Sequence, residues 1–205
     1  MKQQFWPLIT LLLTATLKSS RSQVFSVGQC PTTLTSTSTE LLTFTNLVGT
    51  WREIARTPFT ERHSWTCVTY TVAVVVGGTS YSLTITGKNK LTLTTMTNTG
   101  TITVGGTPAS MTGMAATAAE ATTYLIFSVN NGITTQTLNY YIRYVDNADP
   151  TVMILYACEN VLFGYKEYVL ILAKDTLTGT ALQTAYSYAG YPKGSLSFNF
   201  KQDCY

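Results

Sequence analysis

Charge is what this chain has least of. Only 11% of its 205 residues are Asp, Glu, Lys or Arg, well under the quarter usual in globular proteins. The net charge is +3, and the lysines and arginines are scattered rather than run together. That distribution offers no track for nucleic acid and no basic patch for an anionic membrane. Histidine is nearly missing too: His63 stands alone, and no C-x-x-C pair occurs, so a zinc site is not expected. There is no G-x-S-x-G turn, and Glu53, Asp146 and Glu167 read as strand-end or motif acids, so an enzyme is not expected. Asn-x-Ser/Thr acceptors are absent, and N-glycosylation is not expected. Beyond the N-terminus no apolar run is long enough to span a bilayer.

What is present leans to β-structure. Hydrophobic residues make up 45% and aromatics 12%, and Thr, Val, Tyr and Ile suit pleated, half-buried surfaces. At 22.4 kDa the chain has the size of one domain with a sizeable core. Its start, with Lys2, the apolar stretch Phe5 to Leu17, and then Ser19, Ser20 and Ser22, reads as a secretory signal peptide. We expect that peptide to occupy residues 1–22, with cleavage between Ser19 and Gln23, and residues 23–205 to form a single exported domain. In an oxidising compartment Cys30, Cys67, Cys158 and Cys204 are expected to form two disulfides. Four cysteines allow three pairings, and spacing alone does not choose among them.

Turn residues punctuate the chain after Trp51. Strands are expected at about Trp51–Arg56, Cys67–Val76, Ser80–Thr86, Thr92–Val104, Thr123–Val129, Leu138–Val145, Val152–Cys158 and Glu167–Lys174. Gly77-Gly78 signals a tight hairpin. Gly87-Lys88-Asn89, Asn130-Asn131-Gly132 and Asp146 to Pro150 read as further turns. Asn98-Thr99-Gly100 points to a bulge or a break in one long strand. Leu138, Tyr140, Ile142 and Tyr144 fall on one face by alternation, as do Tyr81, Leu83 and Ile85. A single helical turn is expected at Leu41–Asn46, a short helix at Leu182–Tyr188 and a last strand at Ser195–Lys201. The Thr- and Ser-rich stretch Cys30 to Glu40 reads as a loop, and Gly105 to Thr122 gives no clear assignment. A meander of eight short strands packs as a sandwich or closes as an up-and-down barrel.

At this point the sequence resembles a family, the lipocalins. Gly49-Thr50-Trp51 resembles its first motif. "YYIRYVDNADPTVMILYAC" resembles the second, with Asp146 kept but the flanking Thr and Tyr replaced. "YVLILAKDTLTG" resembles the third, with Lys174 where the family has arginine. "LQTAYSYAGYPKGSLSFNFKQDC" resembles the family's helix, short ninth strand and C-terminal cysteine. The pattern of cysteines is similar to that of apolipoprotein D and the arthropod bilin-binding and insecticyanin-like carriers. The resemblance implies an all-β, eight-stranded antiparallel barrel with a short C-terminal helix and a ninth strand. It implies the disulfides Cys30–Cys158 and Cys67–Cys204, and a barrel base built from Gly49, Trp51, Asp146 and Lys174.

The resemblance also implies a secreted carrier of a small hydrophobic ligand, such as a bilin, retinoid, fatty acid, steroid or pheromone. An eight-stranded barrel has room inside for one small ligand where its own side chains leave space. The expected ligand-facing residues are Tyr70, Leu83, Leu125, Phe127, Tyr140, Ile142 and Leu155, although the same side chains would also pack a filled barrel. Arg62 and His63 lie in the loop expected to border the open end, where cations would suit a propionate. No resident cofactor is expected unless a bilin chromophore or lipid is the cargo. Homo-oligomers are left open. The alternative is a secreted structural or protein-interaction module with a filled barrel.

Overall fold

Runs of Thr, Val, Tyr and Ile between Gly- and Asn-bearing turns fold as strands, because β-branched and aromatic side chains pack well on a pleated sheet. The structure is a computed structural model that describes residues 25–31, 44–57, 62, 64–75, 80–104, 124–146, 151–190, 197–198 and 204. Its elements are β1 (Phe25–Ser26), a 3-10 turn (Phe44–Leu47), β2 (Gly49–Arg56), β3 (Trp65–Val74), β4 (Ser80–Asn89), β5 (Thr95–Val104), β6 (Tyr124–Asn130), β7 (Thr135–Val145), β8 (Val152–Val161), β9 (Gly164–Ala173), α1 (Gly179–Ala189) and β10 (Ser197–Phe198).

Strands β2 to β9 pair antiparallel with their neighbours in sequence, and β9 pairs back onto β2. That last ladder closes an eight-stranded up-and-down barrel. The connections after β2, β4, β6 and β8 therefore gather at one end, here called the mouth. The 3-10 turn, the start of β2 and the exit of β9 meet at the other, the base. β1 adds to β9 through Phe25↔Lys166, and β10 adds to β2 through Ser197↔Arg56.

Alternation along the strands divides the apolar side chains into two sets. One fills the barrel interior, from Leu47, Trp51 and Leu172 at the base up through Leu125, Phe127 and Leu155. The other lies outside the wall under α1 and includes Ile54, Tyr141, Ile171, Ala185 and Ala189. Gly190, with φ 73°, ends the helix in the left-handed conformation and donates its N–H to the Ser187 carbonyl, the usual role of a glycine just past a helix. Disulfides join Cys30 to Cys158 and Cys67 to Cys204.

Several expectations shift. Most strands differ from their expected bounds by one to three residues at an end. Gly87, Lys88 and Asn89 belong to β4 rather than to a turn, because the Asn89 side chain accepts from the N–H groups of Leu91 and Thr92 and moves the turn beyond it. β5 is continuous from Thr95 to Val104. The helical turn comes at Phe44–Leu47, and α1 is longer than expected at both ends. Tyr144 does not share a face with Tyr140 and Ile142. A bulge between Ile142 and Tyr144 turns it outward, where its ring stacks on Tyr188 of α1 at 4.1 Å. The signal peptide, most of the loop Cys30 to Glu40, Gly77-Gly78, His63, the segment Gly105 to Thr122, and the last strand apart from residues 197–198 lie outside the described residues.

Candidate functional site

The base of the interior is built around Trp51, which is fully buried. The 3-10 turn just before β2 brings the Leu47 carbonyl within reach, and the indole N–H donates to it at 2.9 Å. Gly49 enters the strand at φ 125°, in a conformation that a side chain would strain. Lys174, leaving β9, places Nζ 5.4 Å from the Trp51 ring centre, within cation–π range. Asp146 acts beside the base as a staple for the β7–β8 connection. Its carboxylate accepts from the Thr151 and Val152 N–H groups at 2.8 and 3.0 Å and from the Thr151 hydroxyl.

The structure brings Tyr70, Leu83, Leu125, Phe127, Tyr140, Ile142 and Leu155 together, all seven as members of the interior cluster. Phe127 and Tyr140 meet edge to face across β6 and β7, with ring centres 5.0 Å apart, an arrangement that aromatic quadrupoles favour. Trp65 lies over Gly87 on the neighbouring strand, where a Cβ on that glycine would come within 2.9 Å of the indole.

Among these apolar walls sits a polar cluster that strand alternation does not announce. Strict alternation puts Arg56 on the same face as Arg52, with Glu53 on the other. A bulge between Glu53 and Ala55 resets the pattern. Glu53 pairs with Leu172 and Arg56 with Leu170, both interior leucines, so the carboxylate and the guanidinium point inward together. Both are buried. Arg56 Nη1 contacts Glu53 Oε1 at 2.5 Å, and its Nη2 donates to the carbonyls of Arg62 and Trp65. Glu53 Oε2 accepts from the Tyr70 hydroxyl at 2.7 Å. Glu53 is therefore an interior anion, not a strand-end acid.

Arg62 completes the cluster. The sequence places it at the rim; the structure places it inside, 7% exposed. Its Nη2 donates to the Tyr70 hydroxyl at 3.2 Å, and its guanidinium carbon lies 5.8 Å from the Tyr70 ring centre. Burial works against this cation, but Tyr70, Glu53 and Tyr140 around it more than offset that and raise its pKa. Burial also pushes Tyr140 up to about 12, and with Glu53 it drives Tyr70 up despite the opposing pull of Arg62. Both tyrosines are therefore neutral phenols near pH 7. Among the described residues two arginines face one glutamate in this cluster, an excess of one positive charge. A buried charge without its own counter-ion is costly, by several kcal/mol.

No protein-family model matches the chain, and no curated protein matches it in sequence. Solved structures do match in shape. Insecticyanin from the tobacco hornworm Manduca sexta superposes with a TM-score of 0.67 at 15% identity, over 89% of this chain and 92% of that one. H1 crustacyanin from the lobster Homarus americanus gives 0.56 at 14% identity, over 80% of each chain. A biogenic amine-binding protein gives 0.55 at 10% identity, over 83% of this chain and 86% of that one. At such identities the likeness establishes the fold, and that fold is the lipocalin barrel.

Proposed function

We propose that this chain is a secreted lipocalin carrier that holds a small, largely apolar molecule inside its barrel. One observation supports the reading most. Inward-facing leucines, isoleucines and aromatics from all eight barrel strands converge on a polar cluster that lies within the barrel rather than at its surface. Walls of this kind with a few placed polar groups are typical of small-molecule sites. Two disulfides that leave no free cysteine suit an oxidising, extracellular setting. The insecticyanin-like shape supports the same reading. The interior charge argues against an amine as cargo, although one structural neighbour is named for binding biogenic amines.

Two measurements test this. Native mass spectrometry of protein from its natural source is expected to show a co-purifying small molecule. N-phenylnaphthylamine, a neutral apolar dye, is expected to bind one per chain with enhanced emission. A chain that carries no small molecule and leaves the dye dark refutes the carrier reading.

A second reading, a filled barrel acting through its surface, is favoured by the mouth. Leu91, Leu93, Ile133, Leu162 and Phe163 all stand exposed on connections at that end. Clustered exposed apolar residues often mark contact surfaces. A ligand-free oligomer that dissociates on Phe163→Ser substitution is the outcome this reading expects.

A further inference from the structure

We propose that Arg62, held on Tyr70 beside the Glu53–Arg56 pair, is the seat for the carboxylate of an amphipathic organic acid held inside the barrel. The inference rests on the carrier reading and narrows its ligand class.

Charge accounting within the cluster carries it. Both Glu53 oxygens are already engaged, Oε1 by Arg56 and Oε2 by the Tyr70 hydroxyl. Glu53 is thus taken up by Arg56 and Tyr70, and the Arg62 side chain has the Tyr70 phenol as its only hydrogen-bond partner among the described residues. The Arg62 Nε is buried and has no hydrogen-bond partner among the described residues, and neither has the Nε of Arg56. Near pH 7 burial keeps Tyr70 and Tyr140 protonated, and their support of the Arg62 cation belongs to the alkaline range where they ionise. Among the described residues the cluster therefore lacks one negative charge and has donors to spare.

The shape of the missing group follows. A guanidinium presents paired donors in a plane, which a carboxylate matches with two oxygens. A carboxylate also brings the single charge required, whereas a phosphate dianion would leave the cluster negative. An amine would add to the excess. Arg62 reaches the Tyr70 hydroxyl inside the barrel, so the acid group would lie beside that hydroxyl. The apolar remainder would lie along Leu125, Phe127 and Tyr140.

The test uses dodecanoic acid and its methyl ester, each competing with N-phenylnaphthylamine on the full mature chain. The two share the same alkyl chain; the ester removes the charge at the head and adds one methyl group. The wild-type chain is expected to prefer the acid by about tenfold or more, the worth of one charge-assisted hydrogen bond. Arg62→Met is expected to bring the ratio close to one, and Arg62→Lys to leave an intermediate preference. Lys88→Met, which removes an exposed cation, is expected to leave the ratio unchanged and so to exclude a general effect of net charge. Near-UV circular dichroism checks that each variant is folded. A dye that binds while acid and ester compete equally in the wild type overturns the carboxylate seat alone. A preference that survives in Arg62→Met also overturns it. A dye that never binds removes the carrier reading and this inference together.

Discussion

Replacing Glu53 by glutamine tests the buried cluster most directly. The change keeps the shape of the side chain and removes the negative charge. In the native chain that charge receives Arg56 Nη1 at 2.5 Å and the Tyr70 hydroxyl at 2.7 Å, with Glu53 itself 1% exposed. Hydrogen bonds to charged groups contribute about 1.5–3 kcal/mol each. Breaking a buried ion pair from one side costs about 3–5 kcal/mol, because the remaining charge is stranded. Here the stranded charge is Arg56, and Arg62 also loses the Coulombic support of Glu53, so the upper half of that range is expected. For a chain of this size each kcal/mol moves the melting temperature by about 2–4 °C, so Tm should fall by roughly 8–20 °C. The assay is a thermal melt followed by near-UV circular dichroism, with disulfides intact, paired with a urea titration. The double variant Glu53→Leu/Arg56→Met removes both partners and should cost much less than Glu53→Gln alone. A Glu53→Gln protein that loses less than about 1 kcal/mol would refute the reasoning, since such a loss belongs to exposed pairs. So would a double variant less stable than the single one.

Other outcomes follow from the same interior. Trp51→Ala removes a fully buried indole and its bond to the Leu47 carbonyl; urea denaturation should show a loss of about 3–5 kcal/mol. Gly100→Ala drives a Cβ into the Ser128 carbonyl oxygen on β6; the strands must part, and a loss of about 1–3 kcal/mol should appear with faster amide exchange along β5 and β6. Tyr140 ionises at about 12 in the folded chain, against 10.0 for an ordinary tyrosine. The folded chain therefore holds a proton that the unfolded chain has released, so this contribution is complete below pH 10 and is lost as pH rises from 10 through 12. Tyr140→Phe should flatten the alkaline branch of a stability–pH curve, and an unchanged branch would contradict the assignment.

Much of the barrel was legible because its signals are local. Turn clusters at Asn130 and Asp146 separate runs of β-formers, and the seven expected lining residues alternate cleanly into one interior set. The cysteine pairing came from the family resemblance, not from spacing. What was hidden depends on bulges. A bulge changes no composition, yet it reverses the face of every residue beyond it. Read at period two, Trp51-Arg52-Glu53-Ile54-Ala55-Arg56 puts Arg56 in solvent, whereas the bulge beside Ile54 turns it inward to Glu53. The bulge beside Arg143 sends Tyr144 out to the helix. Arg62 is named by the sequence but placed at the rim for a different reason: it lies outside any strand, and no periodicity gives the direction of such a side chain, which is buried on Tyr70.

The C-terminal tail has a consequence for how these molecules behave in a crowd. β3 leaves β2 beyond Arg52, after a bulge that holds Cys67 at φ 53°. β10 takes up the backbone of Ala55 and Arg56 in its place, and Cys204 fastens the tail to Cys67. The tail thus acts as a built-in chaperone for a strand edge. A chain cut before Ser197, or reduced at Cys67, would offer that edge to the tail or strand of a neighbouring molecule. Pairing between edges so uncovered is the failure expected of a chain without that latch.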